Sequence, residues 1–479
     1  MTAPRLKVVE ITRRERPYKL RMPFRFGVMT ATHGRQAVIA VRIRLDDGLE
    51  ETGYAAEALG AKWFDKSPTL SDEDNHHQLR KAIELAGEAY LSADPSTAFG
   101  LFADSYRSHL HVCAAIDLNP LVANYGPALI DRAVFDALCR MHGASFYQAM
   151  RSNLPGIASH PIVPELESVD IGALLRSLSP ASTIDVRHTV GLLDPITRAD
   201  QAERVGDGLP ETLEEVVAAY GNRYFKIKVG GDDAADLERL ERIAAVLDRS
   251  AEPYFVTLDG NEQYESADIA LGLLRRVGES ERLRRLRASM LYLEQPIKRA
   301  VALSRPVEAL AALTPVIIDE SDGELSSFPR ARGLGYRGVS SKACKGFYKS
   351  FINLVRCRVW NAEGPDRHFL SAEDLTCEPG VALQQDLALV NMLGLTHVER
   401  NAHHFIDGFD GRPEAEAMAW RQAHPDLYAL QGGRVRLAIT DGRLGIGSLD
   451  MAGFGSAAVP DLEATEAMPV ARWPLRNPA

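Results

Sequence analysis

The stretch YFKIKVGGD, Tyr224 to Asp232, reads as a strand with two lysines on one side. Side chains alternate along a strand, so Phe225, Ile227 and Val229 share one face and Lys226 and Lys228 share the other. Two ammonium groups aimed at one small space need acids nearby, or a chemistry that uses amines.

The surroundings of this stretch repeat its form. From about Thr183 onward, short apolar runs alternate with helical stretches. The runs are TIDVRHTVGL, YFKIKV, PYFVTLD, MLYLE, PVIIDE, GVSSK, HFLSAED and LTHVER. Between them lie helical patterns such as TLEEVVAAY, AADLERLERIAAVLDR and FYKSFINLVRCRVW. This rhythm predicts a (β/α) barrel, with an open doubly wound sheet as the alternative. In a barrel the active site lies at the C-terminal ends of the strands. The second run ends in Lys226 and Lys228, the third in Asp259 and the fourth in Glu294. The fifth ends in Asp319 and Glu320, the sixth in Lys342. One acid on each of three neighbouring strands suits a hard cation such as Mg²⁺, which takes oxygen ligands and keeps positions open for substrate. Taken singly, each acid reads as a helix N-cap and each lysine as a side chain snorkelling to solvent. The order Lys-x-Lys, Asp, Glu, Asp, Lys on consecutive runs is what capping does not produce.

Upstream, LKVVEITRRE, LRMPFRFGVMT and QAVIAVRIRLDDG have strand alternation and are followed by helical stretches, an α+β unit. The expected divisions are 1–155 for this unit, 156–182 for a linker or insertion, 183–410 for the barrel and 411–479 for a tail packing back on the first unit. The 479 residues are 46% hydrophobic and 25% charged, a soluble globular composition. The net charge of −10 argues against nucleic acid as a partner. No apolar run approaches the ~20 residues of a membrane span. The N-terminus lacks a secretory pattern. Five scattered cysteines without paired spacing suit free thiols in a reducing cytoplasm. GLGYRG, Gly333 to Gly338, matches a dinucleotide fingerprint but precedes a strand instead of following one. The segment HVERNAHHFIDG gathers His397, Glu399, His403 and His404. With Glu373 and Asp374 after the seventh run, His403 and His404 are candidates for choosing the substrate.

The motifs FKIKVG, VTLDGN, LYLEQP, IIDES and VSSKACKG together resemble the enolase superfamily, in its muconate-lactonizing branch of mandelate racemase/muconate lactonizing enzymes. MPFRFGVMT with LDDGLEETGYAAEAL, and PALIDRAVFDALCRMHGASFYQAM, resemble that branch's N-terminal domain. The resemblance implies a modified TIM barrel of (β/α)₇β type with an N-terminal α+β capping domain completed by the C-terminal tail. It implies Mg²⁺, with Mn²⁺ as an alternative, on Asp259, Glu294 and Asp319. It makes Lys228 and Lys342 an acid/base pair and Lys226 an electrostatic helper, with Asn261 and Glu320 near the metal. KACKG departs from the pattern by having one glycine where the family often has two, and Lys345 adds a cation.

The implied chemistry is removal of the α-proton of a small carboxylate substrate, as in a racemase/epimerase or cycloisomerase. An acid-sugar-type dehydratase is the alternative on the same scaffold, and a non-catalytic metal-binding barrel the alternative of another class. Such a base must be neutral, and a lysine beside another lysine and a divalent cation has its charged form disfavoured. A homo-oligomer is expected. The loops PFRFGVMTATHG, Pro23 to Gly34, and Glu57 to Asp65 are expected to cover the barrel mouth, because they carry Phe24, Phe26, Met29 and Trp63 where polar turns would otherwise stand.

Overall fold

The chain is described by a computed structural model covering residues 3–27 and 29–475. Strands β1 (Leu6–Phe26), β2 (Met29–Leu45) and β3 (Glu50–Ala58) form an antiparallel meander. The turn into β3 uses Gly48 at φ 88, where only a residue without Cβ sits without strain. The segment Pro23–Gly34, expected as a loop, is instead the far end of the β1–β2 hairpin, with Phe24 opposite Ala31 and Phe26 opposite Met29. Its alternation is a strand pattern, and it packs Phe24 on Phe405 at 4.3 Å between ring centres. Val28 lies outside the described residues.

Four helices back this sheet: α1 (Ala61–Phe64), α2 (Asp72–Ser92), α3 (Ala98–Ala114) and α4 (Pro120–Met141). Ser71 and Asp74 form a capping box at the start of α2, and Asn119 caps α4. Helix α4 is buried on nearly every face and lies directly on β3. The approach is so close that a Cβ on Gly53 would stand 2.1 Å from the backbone nitrogen of Ala137.

The eight runs become parallel strands: β4 (Thr183–Val190), β5 (Tyr224–Lys228), β6 (Phe255–Asp259), β7 (Met290–Glu294), β8 (Val316–Ile318), β9 (Gly338–Ser341), β10 (Phe369–Ala372) and β11 (His397–Arg400). They run in chain order from β4 to β10, and β11 lies against β4. Helices fill each of the seven crossovers, and β11 is followed by the short Ala402–Phe405 helix and by Glu414–Ala423 of the C-terminal segment. This is the (β/α)₇β barrel. No backbone ladder joins β10 to β11 among the described residues. Side chains close that joint: Glu399 accepts from the Asp374 amide, and Asp374 accepts from the Asn401 amide and pairs with Arg400 at 3.0 Å.

The C-terminal segment contacts both units. Its strand β12 (Arg443–Gly445) adds antiparallel to β4, whereas β13 (Glu466–Ala467) adds to β1. Phe454 stacks on Phe146 at 3.9 Å and meets Phe135 of α4. No helix among the described residues is long and apolar enough to cross a membrane, and all five cysteines are free and buried.

Candidate active site

The strand ends meet at the barrel mouth. Lys226 and Lys228 leave β5, Asp259 ends β6, Glu294 ends β7, Asp319 follows β8 and Lys342 follows β9. All six are buried. Lys228 Nζ lies 2.6 Å from Asp259 Oδ2, and Lys342 Nζ lies 2.7 Å from Asp319 Oδ2. Lys226 Nζ sits among four carboxylates: Asp259 at 2.9 Å, Glu294 at 2.7 Å, Glu373 at 2.7 Å and Glu399 at 2.9 Å. The question raised by the lysine face has a first answer here. Each ammonium is matched by acid from neighbouring strands.

Burial works to lower the Lys226 pKa, yet Asp259, Glu294, Glu373 and Glu399 together hold it well above the usual lysine range. At Lys342 burial likewise opposes the charge, and Asp319 together with Glu294 and Glu399 outweighs it, so the pKa is again raised. The surrounding carboxylates thus favour the charged form of both Lys226 and Lys342. Burial pushes Asp319 up, but Lys342, Lys345 and Lys226 bring it well below the carboxylate range. Glu294 goes the other way. Burial, then Asp259 and Glu373, raise its pKa well above the ordinary value.

Glu294 also decides whether a cation fits. Both of its buried carboxylate oxygens lack a hydrogen-bond donor among the described residues, the close Lys226 contact being poorly directed. Asn261 Oδ1 and Glu320 Oε2 are buried and unpartnered too. A donorless carboxylate flanked by two aspartates is a hard-oxygen set that suits a divalent cation. No three His, Cys, Asp or Glu among the described residues converge into a ready-made metal cage. The carboxylates share lysine charge instead.

A cavity of about 150 Å³ opens over the lysines. Lys226, Lys228, Lys342, Asn261, Asp374, Glu399 and Asn401 line it from the barrel. Phe24, Phe26, Met29 and Trp63 line it from the capping unit, so the apolar residues of both expected lid segments face the mouth. Trp63 lies over Lys342, with Nζ 4.2 Å from the ring centre. The backbone is strained around the site. Asn261, Glu262, Gln295 and Thr376 hold positive φ without being glycine.

The remaining candidates divide. Glu373 does not line the cavity. It pairs with Arg187 at 2.5 Å, accepts from Tyr292 and reaches Lys226 from within the barrel. Asp374 lines the cavity but is engaged by Arg400. Glu320 accepts from Asn261 Nδ2 at 3.2 Å and borders an adjoining cavity. His403 and His404 do not line the mouth. His404 is buried and His403 half-buried against His188, at 5.0 and 5.6 Å between ring centres, in a place the loop-like spacing of their segment did not suggest. Lys345 donates to Ser340 and lies 3.1 Å from Asp319. The sequence reading missed Thr189, which donates to Glu399, and the pair Lys66 and Arg299. Lys66 and Arg299 stand in segments with no motif of their own.

Several solved structures share this fold. An L-Ala-D/L-Glu epimerase from Bacillus subtilis is 15% identical with a TM-score of 0.57, covering 95% of this chain and 100% of its own. A dipeptide epimerase from Enterococcus faecalis, complexed with Mg and L-Leu-L-Tyr, is 16% identical with a TM-score of 0.58, covering 94% and 99%. The fold is that of the mandelate racemase/muconate lactonizing enzymes. A protein of that name from Roseovarius nubinhibens is similar over 97% of this chain and 99% of its own, at 16% identity and a TM-score of 0.57. No known family model matches the chain, and no curated protein does. At these identities the likeness shows the fold, over nearly the whole length of both chains.

Proposed function

We propose that this chain is an isomerase that removes and returns the α-proton of a small carboxylate, as a racemase/epimerase or a cycloisomerase. The observation that carries the reading is that Lys228 and Lys342, from β5 and β9 on different sides of the barrel, line one small cavity. Two amines reaching one cavity from different walls suit proton removal on one face of a carbon and return on the other. Asp259, Glu294 and Asp319 would hold a divalent cation, and that cation would supply charge stabilisation to the substrate carboxylate as its α-proton leaves. Lys226, held charged by its acids, stays a fixed cation near the same carboxylate. Phe24, Met29 and Trp63 exclude water from the cavity. Epimerases among the solved structures of this fold support the choice of reaction class.

The test is incubation with Mg²⁺ and a panel of small carboxylates in D₂O, followed by mass spectrometry for α-deuterium. Incorporation that disappears on removing the divalent cation is the expected result. A panel spanning amino acids, N-acylamino acids, hydroxy acids and unsaturated diacids with no exchange at all would overturn the proposal.

A further inference from the structure

We propose that Arg299, Glu262 and Lys66 are positioning residues, which clamp the lid segment 61–66 to the barrel so that Trp63 covers Lys342. Helix α1 is four residues long, too short to hold its own shape. Its last carbonyls need donors from elsewhere. Arg299, at the start of the crossover after β7, supplies them: Nη2 donates to Trp63 O at 2.8 Å and Nη1 to Phe64 O at 2.9 Å. The same guanidinium is fixed by Glu262, which accepts from its Nε and Nη2 at 2.8 Å each and from its backbone nitrogen at 2.6 Å. Lys66 closes the clamp from the lid side, 2.7 Å from Glu262 Oε2 and 2.7 Å from the Asn261 carbonyl.

The arrangement is directional. Glu262 stands at φ 68, a costly backbone for a glutamate, and this delivers its carboxylate to both cations at once. Phe64 O has a second donor in Asn119 of the capping unit, whereas the contact to Trp63 O comes from Arg299. The carbonyl of the residue that lies on Lys342 is therefore tied to the barrel through one guanidinium. Trp63 is itself buried, and its Nε1 has no partner among the described residues, so the clamp does not rest on the indole nitrogen. That Lys342 moves a proton rests on the function proposed above. The placing of Trp63 does not.

The experiment is carried out on the full chain without turnover. Hydrogen exchange is followed across 58–70, and acetylation of individual lysines by an amine-reactive acetyl ester is quantified by peptide mass spectrometry. Arg299→Ala should speed exchange within 61–66 and raise Lys342 acetylation by about tenfold, as expected for loss of charge-assisted hydrogen bonds that hold a local element. Lys349, buried against Asp322 at 3.1 Å, serves as the internal control and should stay protected. Trp63→Ala should expose Lys342 to the same extent. Arg299→Lys should restore protection only in part, because lysine lacks the planar fork. If Arg299→Ala does not fold, Lys66→Ala carries the same comparison with a smaller rise. Unchanged Lys342 acetylation in a folded clamp variant overturns the proposal, and so does a parallel rise at Lys349, which would mean general loosening. Absence of deuterium exchange in the functional assay, with Lys342 protection still dependent on Arg299, removes the catalytic reading and leaves the clamp standing.

Discussion

Lys228 and Lys342 face one cavity but keep different company, Asp259 for one and Asp319 with the Trp63 ring for the other. Their removal should therefore have separable effects. Lys228→Ala and Lys342→Ala are each expected to cost at least ~10²-fold in turnover, the ordinary contribution of an acid or base. In a racemase each variant retains α-deuterium exchange on one stereoisomer only. In a cycloisomerase one variant abolishes exchange and the other spares it. Wild-type turnover in both would make the lysines structural. Glu294 carries a second residue-scale prediction. A buried carboxylate without donors burdens the metal-free fold, so Glu294→Gln should raise thermal stability without Mg²⁺ and abolish any rise on adding it. Melting curves with and without the cation decide this, and a Mg²⁺-induced rise kept by the variant would remove Glu294 from the metal set. The residues that meet at the barrel mouth were legible because each stood at the end of an apolar run. Their charge states were not, since those depend on Glu373 and Glu399 from strands far along the chain.

At the scale of elements, the rhythm of short apolar runs and helical stretches identified the barrel strands, and β5, β6 and β7 each carry a charged residue at the exit. The alternation in LRMPFRFGVMT marked a strand, while the same residues were also expected in a lid loop, Pro23–Gly34; the β1–β2 hairpin carries them as strand. Contacts between units were invisible for another reason. Arg299 and Phe64 are 235 positions apart, and no local pattern announces a hydrogen bond across that distance. The β3–α4 contact gives the element-scale prediction. A methyl group on Gly53 has no space, since the atoms it would meet are backbone of Ala133 and Ala137. Gly53→Ala should destabilise the capping unit by about 1–3 kcal/mol or more. Urea unfolding checks it, and an unchanged midpoint would show that α4 moves aside freely.

The whole molecule buries several histidines in neutral form. Burial lowers the pKa of His188 to about 3, burial and then Arg187 lower His397 to about 3, and burial lowers His424 to about 4. A histidine with a depressed folded pKa is protonated first in the unfolded chain. Its contribution is intact above the unfolded value of about 6.5 and is lost as pH falls toward the folded one. Burial acts oppositely on carboxyl groups, raising Asp194 to about 6 and Glu57 to about 7, which favours the fold as pH falls. The net slope is a difference, so the test isolates one group. His424 lies between Ser448 and Ser456 in the C-terminal segment. Between pH 7 and pH 5, His424→Asn should lose about 2 kcal/mol less than wild type. Equal losses in urea unfolding at the two pH values would show that His424 is protonated in the fold.

The barrel is a hoop with one stitched joint. Backbone ladders run along seven of its strand junctions, and the β10–β11 junction is held by Asp374, Glu399, Arg400 and their amide partners. Asp374, Glu399 and Asn401 also line the mouth. A hoop of this kind can change its girth at the stitch without parting any ladder, and the change is felt directly by whatever occupies the mouth. Amide exchange at 373–376 and 397–401 should accordingly outpace exchange at the other junctions, while protection equal to theirs would show the stitch to be as stiff as a ladder. Faster exchange there would make the mouth yielding on one side, while β5 and β9, each laddered on both edges, hold Lys228 and Lys342 in fixed register.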